Sequence, residues 1–141
     1  MTNRDFAALT SQLIAHEGLK LRAYTDTTGH LTIGVGRNLS DVGITRDEAL
    51  DMLETDIERA MGALFLRWPW AESLDPVRQR VLIDMVFNLG ADGFGKFTRM
   101  LAAARAGDYE TAAAEMLASR WAEQVGQRAL TLATMMRTGE A

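Results

Sequence analysis

Residues 16–37 constrain the fold of this chain more than any other stretch, because two different periodicities meet there. Apolar residues at helical spacing lead up to them from Asn3, and Gly18 stands where a left-handed cap would end that helix. After Gly18, two short runs alternate apolar and polar residues, and an Asp-Thr-Thr-Gly turn beginning at Asp26 separates them. The sequence therefore predicts a helix followed at once by a β-hairpin, with Glu17 closing the helix and Asp26 opening the turn.

Glu17 and Asp26 are the candidate catalytic residues, together with Thr32 on the returning strand. Glycoside hydrolysis uses two carboxyl groups in unlike surroundings, one kept protonated and the other kept ionised. We expect burial at the end of an apolar helix to help keep Glu17 protonated. A hydroxyl beside Asp26 can hold a water molecule. The same residue types are common at helix ends, turns and strands, so spacing alone leaves a purely structural role open.

A long helix is predicted to begin at the capping box Thr45-Arg-Asp-Glu48. It runs to about Arg67, where Trp68-Pro69-Trp70 stops it. A helix of about 20 residues is roughly 30 Å long, which is enough to connect two lobes. The two Trp residues are expected to pack at a lobe boundary, with a sugar-binding platform as the alternative.

Shorter helices are predicted to fill the remainder of the chain. The first is apolar on nearly every side, as core helices are, and it begins at the N-cap Asp75 and ends at Gly90. The others are predicted at 97–106, from the cap Asp108, from Ser119 to the break at Gly126, and at 127–136.

These elements predict an α+β, mostly α fold, in which a small N-terminal β-hairpin lobe is joined by a long helix to a helical C-terminal lobe. The 141 residues suit one domain, and an apolar content of 48% is enough to build a core. We expect a single domain over residues 1–141, with sub-lobes of about 1–45, 46–67 and 68–141.

The composition argues against several classes of function. There is no Cys and there are only two His, so we expect no disulfide, no metal and no cofactor. A net charge of −4 argues against a nucleic-acid partner, since phosphate binding needs a basic face. No stretch approaches the ~20 apolar residues of a membrane span, and the start lacks the pattern of a signal peptide. His16 and His30 are expected to be ordinary surface or turn residues.

The candidate site resembles a known family. Glu17-Gly-Leu-x-Leu-x-x-Tyr24-x-Asp26, followed by Gly29-x-x-Thr32-Ile-Gly34-x-Gly36, is similar to the active-site segment of the phage T4-type lysozymes. Further matches follow in order along nearly the whole chain: Ile44-Thr-x-Asp-Glu-Ala49, Leu74-Asp-x-Val-Arg78, Met85-Val-Phe-x-x-Gly90, Phe97-Thr98, Ser119-Arg-Trp121 and Arg137-Thr-Gly139.

This resemblance implies a role for each residue of the candidate site. Glu17, Asp26 and Thr32 match the catalytic Glu, Asp and Thr of the family without a gap. Glu17 would act as the general acid, while Asp26 and Thr32 would position and activate water. Arg128 matches an Arg of the helical lobe that pairs with the catalytic Glu.

Four more residues match substrate-binding positions of the family: Asn38, Phe87, Met100 and Glu115. Met100 and Glu115 depart from the pattern, since small polar residues stand there in the family. The details of the sugar subsites are therefore less well defined than the reaction itself.

An ion pair between Arg37 and Asp56 is a further prediction. Asp56 lies between Leu53 and Ala60 on the inward face of the long helix, where a buried carboxylate needs a partner. Arg37 follows the glycine-containing strand, at a position often filled by His in the family. Such a pair would fix the hairpin on the helix.

Taken together, the residues and the resemblance predict a muramidase of endolysin type that hydrolyses the β-1,4 bond between N-acetylmuramic acid and N-acetylglucosamine in peptidoglycan. An inverting single displacement is expected. We expect a monomer, made in the host cytoplasm without a signal peptide and without stable membrane insertion, that reaches the periplasmic cell wall through a holin-type membrane lesion. The alternatives are a glycosidase on a related polymer such as chitin and a non-catalytic glycan-binding protein.

Overall fold

The computed structural model describes residues 1–141 and confirms the predicted α+β, mostly α fold. Seven α-helices accompany one small antiparallel sheet, and Pro69–Ser73 forms a 3₁₀ turn. In chain order the elements are α1 (Asn3–Glu17), β1 (Lys20–Thr25), β2 (Leu31–Gly34), β3 (Arg37–Asn38), α2 (Arg46–Arg67), α3 (Pro76–Gly95), α4 (Thr98–Arg105), α5 (Tyr109–Leu117), α6 (Arg120–Val125) and α7 (Gln127–Thr138). The chain divides into two compact units, Met1–Asp51 and Met52–Ala141.

The first unit begins with α1, which Thr2 caps. The Thr2 hydroxyl accepts from the Asp5 backbone N–H, and the Asp5 carboxylate accepts from the Thr2 backbone N–H, so the two residues form a capping box. Gly18 ends the helix with φ 77° and ψ 160°. Its positive φ is as predicted, but its extended ψ, unlike a left-handed cap, sends the chain straight into β1.

The sheet is ordered β1-β2-β3, and the predicted hairpin is its first pair of strands. Thr32 pairs with Tyr24 of β1 on one side and with Asn38 of β3 on the other. The two-residue strand β3 was not predicted, because its sequence is too short to show alternation. Because β2 pairs with both β1 and β3, Thr32 lies on the central strand of the sheet.

Thr32 is also the only buried residue of the first unit, at 3% exposure. Three of the apolar residues that alternate along the hairpin remain exposed: Leu19 by 57%, Leu21 by 84% and Leu31 by 46%. No residue of α1 is buried either. The first unit thus has no apolar core of its own.

The predicted helix starts are confirmed where side-chain caps define them. At α2, the Thr45 hydroxyl accepts from the Glu48 backbone N–H and the Glu48 carboxylate accepts from the Thr45 N–H. Asp75 caps α3 by accepting from the Arg78 backbone N–H. Asp108 and Ser119 cap α5 and α6 in the same way.

The predicted helix break at Gly90 is confirmed, but the short helical segment that follows it was not predicted. Gly90 leaves helical geometry, with φ 74° and ψ 161°, but the chain re-enters the helix and continues to Gly95. The second segment carries Phe94, which is completely buried. Burial of this aromatic side chain gives the residues after Gly90 a reason to stay helical that local sequence does not show.

The hydrophobic core lies in the second unit, where α5 packs against α4 and α7. Its completely buried large side chains are Leu64, Val81, Leu82, Met85, Phe94, Met116 and Met136. Trp68 packs edge-to-face on Phe94 with ring centroids 5.0 Å apart, and Trp70 also lies against the core. Packing is therefore the role of these two Trp residues. None of the helices is both long and apolar enough to cross a membrane.

Candidate active site

Glu17 lies at the last position of α1, and its carboxyl group rests against Gly36. A Cβ atom built on Gly36 would stand 2.8 Å from Glu17 Oε2 and 3.0 Å from Cδ. The absence of a side chain at residue 36 therefore makes room for the Glu17 carboxyl. The burial that we expected for Glu17 is wrong, because the residue is exposed.

Gly34 and Gly36 both have positive φ, of 69° and 67°, and they turn the chain sharply between β2 and β3. L-residues with a side chain rarely adopt this conformation. Gly34 has no atom near its would-be Cβ, whereas Gly36 has the Glu17 carboxyl. The two glycines thus share a backbone requirement, and only Gly36 adds a close contact with a candidate catalytic group.

Asp26 is held at the start of the hairpin turn by hydrogen bonds to one of its two oxygens. Its Oδ1 accepts from the Thr28 N–H at 2.9 Å, from the Thr28 hydroxyl at 2.8 Å and from the His30 N–H at 2.8 Å. Together these bonds lower the pKa of Asp26 below the ordinary value, with the His30 N–H as the largest cause and the Thr28 hydroxyl next.

All three hydrogen bonds to the Asp26 carboxylate end on Oδ1, and Oδ2 accepts none from the protein. A carboxylate anchored through one oxygen keeps the lone pairs of the other for a ligand or a water molecule. Asp26 therefore combines a fixed orientation with a free acceptor.

Thr32 completes the set on the first unit. Its hydroxyl donates to the His30 carbonyl at 3.0 Å. Because that bond uses the only hydroxyl proton, the Thr32 oxygen can act toward a further group only as an acceptor. Its burial fixes the side chain, so the oxygen is pre-oriented.

Arg37 and Asp56 do not form the predicted pair. Arg37 contacts both carboxylate oxygens of Glu48 at 3.0 Å and also donates to the Gly43 carbonyl. Asp56 is partly exposed and pairs with Arg59, one helical turn away. The prediction assumed a buried carboxylate on α2, and that assumption fails.

The Arg37–Glu48 pair has an electrostatic consequence. The Arg37 guanidinium, followed by the Thr45 N–H and hydroxyl, lowers the pKa of Glu48 from 4.5 to about 2. In turn, the Glu48 carboxylate raises the pKa of Arg37. Within the first unit, the pair ties β3 to the beginning of α2.

Asn38, the candidate substrate-binding residue of β3, is held by Asp41. The Asn38 side-chain amide donates to Asp41 Oδ2 at 3.0 Å, and its carbonyl oxygen accepts from the Asp41 N–H at 3.0 Å. This double contact closes the loop after β3 and leaves the Asn38 side chain little freedom to rotate.

In the second unit, Phe87 and Arg128 line one groove of about 590 Å³. Phe87 is 44% exposed, so an aromatic face is open to a ligand. The Arg128 Nε donates to Asp84 Oδ1 at 2.8 Å, and its Nη2 lies 2.6 Å from the same oxygen. Asp84 thus holds Arg128 within this unit, and the pairing with Glu17 that the resemblance implies stays a prediction.

Met100 and Glu115 line a separate cavity of about 620 Å³. Glu115 is partly exposed, but Met100 is only 1% exposed and belongs to the core. Met100 can therefore offer a ligand only a small part of its surface. Trp121, in the same cavity wall, donates from its indole nitrogen to the Asn88 side chain at 2.8 Å.

Comparison with known proteins identifies the family. Residues 14–138 match the sequence profile of the family described as phage lysozyme. The chain belongs to the phage lysozyme family. This membership makes it a glycoside hydrolase.

Individual relatives differ in how much of their length this chain covers. An endolysin of Acyrthosiphon pisum secondary endosymbiont phage 1 is 31% identical, over 80% of this chain and 77% of the endolysin. Probable T4-type lysozyme 2 of Dictyostelium discoideum is 26% identical, over 94% of this chain and 95% of that protein. The pre-baseplate central spike protein Gp5 of Enterobacteria phage T4 is 29% identical over 94% of this chain, which spans only 28% of the spike protein.

The residues that surround Asp26 were not predicted from the sequence. His30, expected to be an ordinary turn residue, contacts Thr28 through Nδ1 at 2.6 Å and faces Asp41 through Nε2 at 3.4 Å. An Asp followed two residues later by Thr is a signal for a local side-chain turn, so the Thr28 contact could have been found. The Asp41 contact depends on strand β3, which the sequence did not reveal.

Proposed function

We propose that this chain is a peptidoglycan-cleaving muramidase that hydrolyses the β-1,4 bond between N-acetylmuramic acid and N-acetylglucosamine. The proposal rests above all on the Asp26 carboxylate, which is anchored through Oδ1 and has a free Oδ2. Glu17 is the general acid that protonates the leaving oxygen. Asp26 is the general base, and Thr32 helps it to hold the attacking water.

The directions of the hydrogen bonds support an inverting mechanism. The Thr32 oxygen and Asp26 Oδ2 both act as acceptors, because the Thr32 proton is given to the His30 carbonyl and Asp26 is ionised. A water molecule that donates one proton to each of them presents its own lone pair to the anomeric carbon. The water loses its proton to Asp26, the C–O bond to the leaving sugar breaks, and Glu17 supplies that sugar with a proton. The first product is the α-anomer.

The remaining candidate residues bind the glycan or orient the general acid. Asn38, fixed by Asp41, and the open face of Phe87 contact the glycan. Glu115 and the small exposed part of Met100 border a further subsite, and Arg128 orients the general acid. The enzyme acts as a monomer on the periplasmic cell wall, and it reaches the wall through a membrane lesion of the kind that a holin makes.

The test is lysis of Gram-negative cells stripped of their outer membrane, followed by turbidity, with Glu17→Gln as the key variant. The substitution keeps the shape of the side chain but removes the proton, and general acid catalysis contributes roughly 10²–10⁴-fold. Glu54→Gln is the matched control, because it removes the same charge from an exposed position on α2. We expect loss of lysis in the first variant only. Equal activity in both variants would contradict the role of Glu17.

Two further measurements define the reaction. Relative rates on cell walls and on chitin oligomers distinguish a muramidase from a chitin-cleaving enzyme. An NMR time course of the reducing ends distinguishes the two stereochemical routes, since an inverting enzyme releases the α-anomer first. Early β-anomer would overturn the single displacement while leaving the muramidase assignment intact.

A further inference from the structure

His30 contacts both residues proposed to handle the attacking water. Its backbone N–H donates to Asp26 Oδ1 at 2.8 Å, and its carbonyl accepts from the Thr32 hydroxyl at 3.0 Å. The same carbonyl accepts from the Asp26 backbone N–H at 2.9 Å. The backbone of His30 therefore joins Asp26 to Thr32.

The imidazole ring lies between two carboxylates at opposite ends. Nδ1 is 2.6 Å from the Thr28 hydroxyl and 3.7 Å from Asp26 Oδ1, while Nε2 is 3.4 Å from Asp41 Oδ2. Asp41 in turn holds Asn38, the strand partner of Thr32. These contacts lead from Asp26 through the imidazole to Asp41 and Asn38, and so back to Thr32 on the central strand.

Proton counting assigns a role to Nδ1. The Thr28 hydroxyl has one proton, and it lies within hydrogen-bond distance of both Asp26 Oδ1 and His30 Nδ1. An ionised carboxylate can only accept, so the 2.8 Å contact is a hydrogen bond only if the hydroxyl points its proton at Asp26. Nδ1 must then carry a proton of its own and donate to the Thr28 oxygen. Without that proton, Nδ1 would accept, and the hydroxyl would turn away from Asp26.

We propose that His30 is a positioning residue whose Nδ1–H directs the Thr28 hydroxyl toward Asp26, and so keeps the proposed general base oriented. This inference rests on the proposed function for its catalytic meaning, but its structural part can be measured independently. Asp26 and Asp41 are the charged groups that face the ring.

Two substitutions distinguish the role of Nδ1 from that of Nε2. In His30→Asn, the side-chain amide nitrogen takes the place of Nδ1 and can still donate to Thr28. In His30→Gln, the amide group reaches the place of Nε2 and leaves the Thr28 oxygen without its donor. Because the His30 side chain is 41% exposed, neither change disturbs a core.

The first readout is the ¹³C resonance of the Asp26 carboxyl group, followed through a pH titration in each protein. We expect the titration midpoint of His30→Gln to lie above that of wild type, closer to the ordinary value of 3.8. The midpoint of His30→Asn should rise less, because both variants lose the coulombic effect of the ring on Asp26 but only His30→Gln also loses the donor to Thr28. A midpoint that is unchanged in His30→Gln, or raised equally in both variants, would overturn the inference.

The second readout is the pH dependence of kcat and KM on peptidoglycan. His30→Gln should move the acidic limb of the kcat profile to higher pH and leave KM little changed, and His30→Asn should move the limb less. If wild type does not cleave peptidoglycan while the Asp26 midpoints behave as expected, the proposed function fails and the positioning role stands. If wild type cleaves peptidoglycan and the midpoints do not move, only the positioning role fails.

Discussion

The two units of the chain, residues 1–51 and residues 52–141, differ in which side chains they bury. The first unit buries a single residue, Thr32, and its contacts are caps, turns and ion pairs. The second unit buries a continuous cluster of apolar side chains that extends from Ala60 to Met136. Burial of apolar area is the main stabilising term in folding, whereas exposed polar contacts contribute little each.

This difference separates stability from chemistry along the chain. The candidate catalytic residues lie in the unit that buries no apolar side chain, and one of its positive-φ glycines, Gly36, stands against Glu17. Changes in the first unit should therefore alter catalysis more than they alter unfolding. Changes in the core of the second unit should alter unfolding more than they alter catalysis.

The largest effect on stability is expected from Leu82→Ala in α3. Leu82 is completely buried, so the substitution removes apolar contacts and leaves a cavity that costs about 2–5 kcal/mol. Leu21→Ala in β1 is the matched change in the first unit, where the side chain is 84% exposed, and its effect should stay within about 0.5 kcal/mol. Urea unfolding followed by circular dichroism measures both. Similar losses in the two variants would remove the contrast between the units.

Gly36→Ala should have the largest effect on activity after loss of Glu17 itself. The new methyl group would stand 2.8 Å from Glu17 Oε2, so the carboxyl must move. A displacement of about 1 Å at a catalytic group can cost about 10²-fold in rate. The measurement is kcat/KM on peptidoglycan.

Gly34→Ala is the control for this change. Its φ of 69° is close to the 67° of Gly36, so both variants strain the backbone, by about 1–2 kcal/mol. Only Gly36→Ala also meets Glu17, because the space beside Gly34 is empty. Equal losses of activity would show that backbone strain, and not the position of Glu17, is responsible.

Local signals were enough to predict most of the fold. The capping box at Thr45, the Asp75-Pro76 start and the turn at Asp26 each place a polar group next to a backbone N–H a few residues away. Such contacts are encoded within a few residues, so the sequence shows them directly. The break at Gly90 was visible for the same reason, but the continuation beyond it depends on tertiary burial of Phe94.

Contacts between distant residues were harder to predict. The partner of Arg37 depends on which acid the loop after β3 brings close, and Glu48 takes that place although Asp56 matched the helical pattern. The contact of Gly36 with Glu17 joins residues that are far apart in sequence, and no periodicity reports it. Resemblance to a family identified the catalytic candidates, but it could not reveal His30 as a neighbour of Asp26.

The Arg37–Glu48 pair should make a smaller contribution to stability, and one that depends on pH. Because the pKa of Glu48 falls from 4.5 in the unfolded chain to about 2 in the folded chain, its stabilising effect is full above 4.5 and is lost as the pH falls toward about 2. Arg37→Met should therefore lower the melting temperature at neutral pH, and the difference from wild type should shrink across that range.

A double-mutant cycle identifies the partner of Arg37. Arg37→Met combined with Glu48→Gln should be less destabilising than the sum of the single changes, since either change alone already breaks the pair. Arg37→Met combined with Asp56→Asn should be additive, because Asp56 pairs with Arg59. Coupling to Asp56, and none to Glu48, would reverse this assignment.

Thr28→Val should have the smallest effect, confined to the acidic side of the pH profile. The change removes the hydroxyl that donates to Asp26 Oδ1 but keeps both backbone N–H groups, including that of His30, the largest cause of the low pKa of Asp26. Losing one bond to the ionised form raises that pKa part of the way toward 3.8, so Asp26 becomes protonated at a higher pH. The acidic limb of kcat/KM should move to higher pH, while activity near neutrality is unchanged. Thr28→Ser keeps the hydroxyl and should keep the wild-type limb. A limb that stays in place in Thr28→Val would mean that Asp26 does not govern it, which would remove the proposed general base from the mechanism.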